Sequence, residues 1–216
     1  MGGGILPHSF LYFREKQMKF SIWHLACAGV CVVSYRRAGY LEAGFGGIYQ
    51  GLKKYFNELV SLRADVLMEK RCGLPVGTLM VSRISEWDQA YQDLPAELKS
   101  EIDKLRPLYG DQLAYAGKFA TLPWVKCHLI ALRLFQQIAI SWAKKHEVGA
   151  FVIVVHPNQA KHYQAYGGRI LTEMANMNGL LNAPGVIMVV DLTSERISRG
   201  IARARRTSQR WARSQA

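Results

Sequence analysis

The stretch FVIVVHPNQAKHYQAYGGRIL, residues 151–171, decides how the chain is read. Its first five residues are all β-branched or aromatic and stop at His156-Pro157, which reads as a buried strand. Pro157 cannot continue a ladder but suits the first turn of a helix. The residues after it carry His162, Tyr163 and Tyr166 over one or two helical turns, and Gly167-Gly168 ends them before a second apolar run. A tyrosine pair on so short a helix between two strands reads either as half-buried packing or as part of a site.

Working outward, CHLIALRLFQQIAISWAKK (127–145) is the strongest helical pattern, with a broad apolar stripe of Leu129, Leu132, Phe135, Ile138, Ala139 and Trp142. Lys144 and Lys145 close it favourably for the helix dipole. Before it, DQLAYAGKFATLP (111–123) is strand-like, and ADVLMEKRCGLPVGTLMVSRI (64–84) reads as a hairpin around Cys-Gly-Leu-Pro. Apolar residues at 48, 52, 55, 56, 59 and 60 have helical spacing, and LPAELKSEIDKLRPL opens with Pro95 and stops at Pro107 as a short exposed helix. Residues 19–26 read as a first strand, 169–174 as another, and PGVIMVVDL (184–192) as a buried one. This order predicts an α/β fold with a single mixed, twisted sheet and helices on both faces. Neither a GxGxxG after a strand nor a GxxxxGK[ST] is present, and no internal repeat is visible.

The chain has 216 residues, half of them apolar, enough for one core and one domain. A formal charge of +12 favours acidic partners. Half of that charge lies in residues 195–213, where seven arginines face only Glu195. Residues 194–216 are accordingly read as an arginine-rich tail or helix, 19–193 as the folded domain, and 1–18 as a leader or disordered segment. Cys27, Cys31, Cys72 and Cys127 have no paired CxxC spacing, so a zinc site is not expected and a reduced, cytoplasmic protein is the simpler reading. KFSIWHLACAGVCVV (19–33) is too short to span a bilayer and is interrupted by His24.

Five words in order, GYLEAGF (39–45), PVGTLMVSR (75–83), AYAGKFATLP (114–123), VVHPNQAKHYQAYGG (154–168) and NAPGVIMVVDL (182–192), resemble the GNAT acyltransferase fold. Within it, the chain is similar to the N-acyl amino acid synthases, relatives of the acyl-homoserine-lactone synthases. The resemblance implies transfer of a long acyl chain from a carrier-protein phosphopantetheine thioester to the α-amine of an amino acid, with no tightly bound cofactor. It also implies that the strands near 112–122 and 150–155 splay apart, that the pantetheine arm lies in the gap, and that Tyr163 stands over the thioester sulfur, with Tyr166 only grazing the same helical face.

On the same resemblance, backbone at Phe119, Ala120, Thr121 and Leu122 would supply the oxyanion donor. The lactone-synthase relatives carry E-x-S-R-F in this strand, where this chain has Tyr115-Ala116-Gly117-Lys118-Phe119. Tyr115 thus replaces the carboxylate, and a phenol near pKa 10 is a poor base at neutral pH. The base is left open between water, His156, His162 and an acid such as Glu42, and either histidine alone reads more readily as structural than as catalytic. The glycine-rich pyrophosphate loop of acetyl-CoA enzymes is replaced by PWVKCHL (123–129), where Lys126 and His128 at a helix start would hold one phosphate. That points to an acidic acyl carrier protein rather than free CoA. Arg36, Arg37, Tyr40 and Phe45 resemble the part that covers the acceptor and acyl chain, an arginine there pairing with the acceptor carboxylate. The arginine-rich tail reads either as a disordered tail or as an amphipathic segment lying on anionic lipid. Nucleic-acid binding would need aromatics interleaved with basic residues on a sheet face, and the sequence offers none.

Overall fold

The structure, a computed structural model, describes residues 21–87, 89–92, 94–125, 134, 139–165, 167–176 and 183–193. Two helices lead, α1 (Ile22–Arg37) and α2 (Gly44–Ser61), followed by the hairpin β1 (Asp65–Arg71) and β2 (Leu74–Arg83). A one-turn helix α3 (Gln89–Gln92) and the longer α4 (Ala96–Tyr109) then lead to β3 (Leu113–Thr121). After it come α5 (Ile140–Lys145), β4 (Ala150–Val155), α6 (Pro157–Ala165), β5 (Gly168–Met174) and β6 (Gly185–Asp191). The six strands form one sheet in the order β1-β2-β3-β4-β6-β5. Only the β3–β4 pair is parallel.

The expected mixed sheet with helices on both faces is what the chain builds, but its start is different. Residues 19–26 were expected as a strand; from Ile22 the chain is helical instead. His24, Cys27, Ala28 and Cys31 are buried on one side of α1, a spacing of three and four that only a helix aligns. Ser21 begins it: its N–H donates to Nδ1 of His24 at 3.1 Å, and its Oγ lies 3.0 Å from the same nitrogen. His24 thereby does the work of the acid in a capping box. At the other end of the hairpin region, α4 runs two residues past Pro107, and Gly110 (φ 52) stops it.

Strand alternation splits the core into two. On one face, Met80, Tyr115, Val152 and Ile187 pack with Cys27, Tyr55, Leu59, Leu98 and Ile102 of α1, α2 and α4. On the other, Leu79, Ala116, Phe151, Ile153 and Met188 pack with Ile140, Trp142 and Ala160 of α5 and α6. Each fully buried side chain of this size contributes about 1.5–3 kcal/mol. Trp142 Nε1 also donates to Asp65 at 2.7 Å, tying α5 to β1. Of the stripe expected on the helix at 127–145, the described residues Ala139 and Trp142 are buried, as is Leu134, which lies outside that stripe. Leu129, Leu132, Phe135 and Ile138 lie outside the described residues.

The Gly167-Gly168 pair ends α6 for two separate reasons. Gly167 takes φ 92, a conformation that disfavours any side chain. At Gly168 a Cβ would stand 2.8 Å from the carbonyl oxygen of Tyr163, so β5 can cross only with no side chain there. That close crossing fixes Tyr163 relative to the sheet.

Candidate active site

β3 and β4 pair only from Leu113–Ala150 to Ala116–Ile153. Beyond that β3 continues to Thr121 and β4 to Val155, so two strand ends run on without each other. The cause is a bulge. Met80 opposes Gly117 and Thr78 opposes Ala120, so Lys118 and Phe119 together face the single residue Leu79. Lys118 holds φ 51, the left-handed region, and the extra residue bends β3 away from β4.

A cleft of about 140 Å³ opens in this gap. Its wall includes Tyr115 and Val154 from the face of the first core, and Leu79, Ala116, Ile153, Val155 and Tyr163 from the face of the second. It therefore passes through the sheet rather than lying on it. Ser34, Tyr35, Ala38 and Tyr40 stand at the α1 end, and Gln159 and Tyr163 of α6 at the other. At the rim, Tyr40 stacks on His156, with ring centroids 5.8 Å apart and planes 23° from parallel. Nδ1 of His156 accepts the N–H of Asn158 at 3.2 Å.

Of the residues the sequence singled out, Tyr163, Tyr115, His156, Phe119 and Tyr40 meet in this cleft. Leu122 does not offer its amide to the gap, because that N–H donates to Val76 at 2.9 Å. Ala120 and Thr121 are buried and pair with Thr78 and Gly77 of β2. Arg36 and Arg37 are exposed in the last turn of α1 and are not part of the cleft wall. Phe45 is 82 % exposed, and Glu42 and His162 also face solvent. Lys126, His128, Tyr166 and the arginine-rich tail lie outside the described residues.

Tyr115 is unsuited to act as a base. It is buried, edge-on to Trp87 with centroids 5.4 Å apart. Burial first, and the nearby Glu58 carboxylate second, hold its phenol well above the usual tyrosine value. That carboxylate is the residue the sequence did not disclose. Glu58 of α2 accepts an ion pair from Nζ of Lys118 at 2.8 Å, their side chains 18 % and 8 % exposed. A glutamate has thus entered from a helix beside the place where the related strand pattern carries one. The only signal was Glu58 beside Leu59 at the edge of the buried stripe. The Lys54–Glu58 spacing of four otherwise reads as an ordinary surface pair.

A bulged strand splayed from its parallel neighbour, with a cleft through the sheet, is the framework of the GNAT acyltransferases, and solved structures agree. An aminoglycoside 6'-acetyltransferase type Ii superposes with a TM-score of 0.53 at 10 % identity, over 85 % of this chain and 98 % of that one. BjaI, a CoA-dependent acyl-homoserine lactone synthase solved with SAM and isopentyl-CoA, gives 0.51 at 12 % identity, over 85 % and 80 %. FeeM, an N-acyl amino acid synthase from uncultured soil microbes, gives 0.63 at 16 % identity, over 85 % and 92 %. Residues 32–191 match the family described as N-acyl amino acid synthase FeeM, and the chain belongs to that family of acyltransferases. No curated protein matches it by sequence. Among the described residues no helix is long and apolar enough to cross a membrane.

Proposed function

We propose that the protein transfers a long acyl chain from a carrier-protein phosphopantetheine thioester to the α-amine of an amino acid. The observation that carries this reading is the cleft passing through the sheet at the bulge. A thioester arm laid along the splayed strands from the α6 side would bring its carbonyl carbon to the gap, where an amine can approach from the α1 side. The amine nitrogen attacks that carbon, and backbone at the bulge, around Phe119, receives the developing oxyanion. The C–S bond then breaks, Tyr163 donates a proton to the departing sulfur, and the nitrogen loses a proton to give the amide. The carrier as donor is supported by the absence of a glycine-rich pyrophosphate loop at 123–129 and by the +12 charge, which suits an acidic partner.

His156 fits a donor better than a base. Because Nδ1 accepts the Asn158 amide, the neutral ring carries its proton on Nε2 and presents an N–H. Water then takes the amine proton. The amide of glutamine can stand in for an Nε2–H, so His156→Gln should keep at least about one tenth of wild-type kcat/KM. A general base would lose about a hundredfold or more on the same change and with it the acid limb of the pH–rate profile.

The reaction itself is tested by incubating the protein with long-chain acyl-carrier protein, then separately with acyl-CoA, and pooled amino acids, and resolving products by mass spectrometry. N-acyl amino acids formed faster from the carrier thioester are expected. Turnover of short-chain acyl-CoA alone would move the protein to the acetyl-transferring members of the fold.

A further inference from the structure

Tyr115 takes no part in the chemistry above, yet it stands in the cleft wall, on the face of the first core. Two residues further along β3, on the same face, is Gly117. A Cβ at Gly117 would stand 2.5 Å from Cε1 of Tyr115 and 2.6 Å from its hydroxyl oxygen, and its three nearest atoms would all belong to that phenol. The ring therefore lies along the strand, over a residue with no side chain, at the level where β3 has left β4. Trp87 stands edge-on to it with centroids 5.4 Å apart, so core closes that side of the ring and the cleft is the open one.

The cleft is polar at its rim, where Tyr40 stacks on His156, and apolar towards the first core, where Val154 and Tyr115 line it. An acyl chain whose thioester comes from the α6 side continues past the carbonyl carbon onto that apolar face. At about 140 Å³ the cleft seats about four or five groups the size of a water molecule or a methylene. A long chain must therefore stop at a side chain or displace one. We propose that the Tyr115 ring is that side chain: it ends the track of the acyl chain and sets the length beyond which further methylenes gain no contact. The inference rests on the acyl-transfer reading and deepens it by naming a residue that selects among acyl groups. The tyrosine that replaces the carboxylate of the related strand pattern then serves size rather than proton transfer.

The test is calorimetric binding of S-alkyl phosphopantetheine thioethers, butyl to tetradecyl, which cannot be turned over. In wild type each added methylene should tighten binding about fourfold until the chain meets the ring, and no further after that. Tyr115→Ala should move this break to longer chains, and Tyr115→Phe, which keeps the ring, should leave it in place. Gly117 does not hold a left-handed φ, so what an alanine there meets is the ring. Gly117→Ala should push the ring into the cleft and move the break to shorter chains, and it carries the test alone if Tyr115→Ala does not fold. In the double variant Gly117→Ala should lose its effect, because the ring it acts through is gone. With acyl-carrier thioesters, the products of Tyr115→Ala should shift to longer chains in step. The same break in wild type, Tyr115→Ala and Gly117→Ala, or no break in wild type, overturns the assignment. A break that moves as expected in a protein forming no amide from any acyl donor overturns the acyl-transfer reading and leaves Tyr115 as the end of an alkyl-chain site.

Discussion

Lys118→Met should lower the unfolding free energy by about 3 kcal/mol or more, and adding Glu58→Leu should restore most of it. Removing one partner of a mostly buried ion pair strands the other charge, and that cost of about 3–5 kcal/mol exceeds what the pair itself contributes. Here the stranded group is Glu58, 18 % exposed and 2.8 Å from the lost ammonium. Lys118 also holds a left-handed backbone conformation without being glycine, a strain of order 1 kcal/mol. Its carbonyl is fastened by the Cys31 thiol, which donates at 3.4 Å. A methionine keeps the stem against the core but loses the tether. In the double variant no charge is left behind, so an apolar pair should fill the space at little cost. Urea unfolding of wild type, Lys118→Met, Glu58→Leu and the double variant settles it: Lys118→Met within about 1 kcal/mol of wild type would mean that Glu58 is solvated and the bulge stands unaided.

Much of the architecture could be read because local signals and tertiary demands agree. The hairpin shows its turn at Cys72-Gly73, and strand 150–155 shows its end at His156-Pro157. The first helix is hidden in the sequence because Ile22 and Trp23 favour strands, and the cap that overrules them uses histidine at the position where an acid is the familiar sign. The site was legible to the extent that one strand or turn carries it: Tyr115, Phe119, His156 and Tyr163 all reach the cleft. Its electrostatics were not. The Glu58–Lys118 pair joins residues 60 positions apart through the packing of α2 on the sheet, which no local spacing encodes. Nor does the bulge announce itself, since the left-handed residue is Lys118 while the glycine sits one position earlier.

Tyr163→Phe should lower kcat by about a hundredfold, the low end for loss of a general acid, with donor KM and melting temperature nearly unchanged. The ring stays: it is half-buried against the second core, and the crossing of Gly168 over its carbonyl fixes the backbone regardless of the hydroxyl. What goes is one O–H at the α6 end of the cleft. A thiolate is a fair leaving group, which is why the loss should be moderate rather than complete. The same reasoning makes the effect depend on the leaving group. An alkyl thiol such as phosphopantetheine leaves with a pKa near the ordinary thiol value and gains from protonation. An aryl thioester expels a far less basic sulfur and needs no proton. The deficit of Tyr163→Phe should therefore shrink towards wild type when the donor is an acyl 4-nitrothiophenol ester. An equal deficit with both donors would assign Tyr163 to positioning the thioester. Full activity with both would leave α6 a structural link between β4 and β5, its tyrosine there for packing alone.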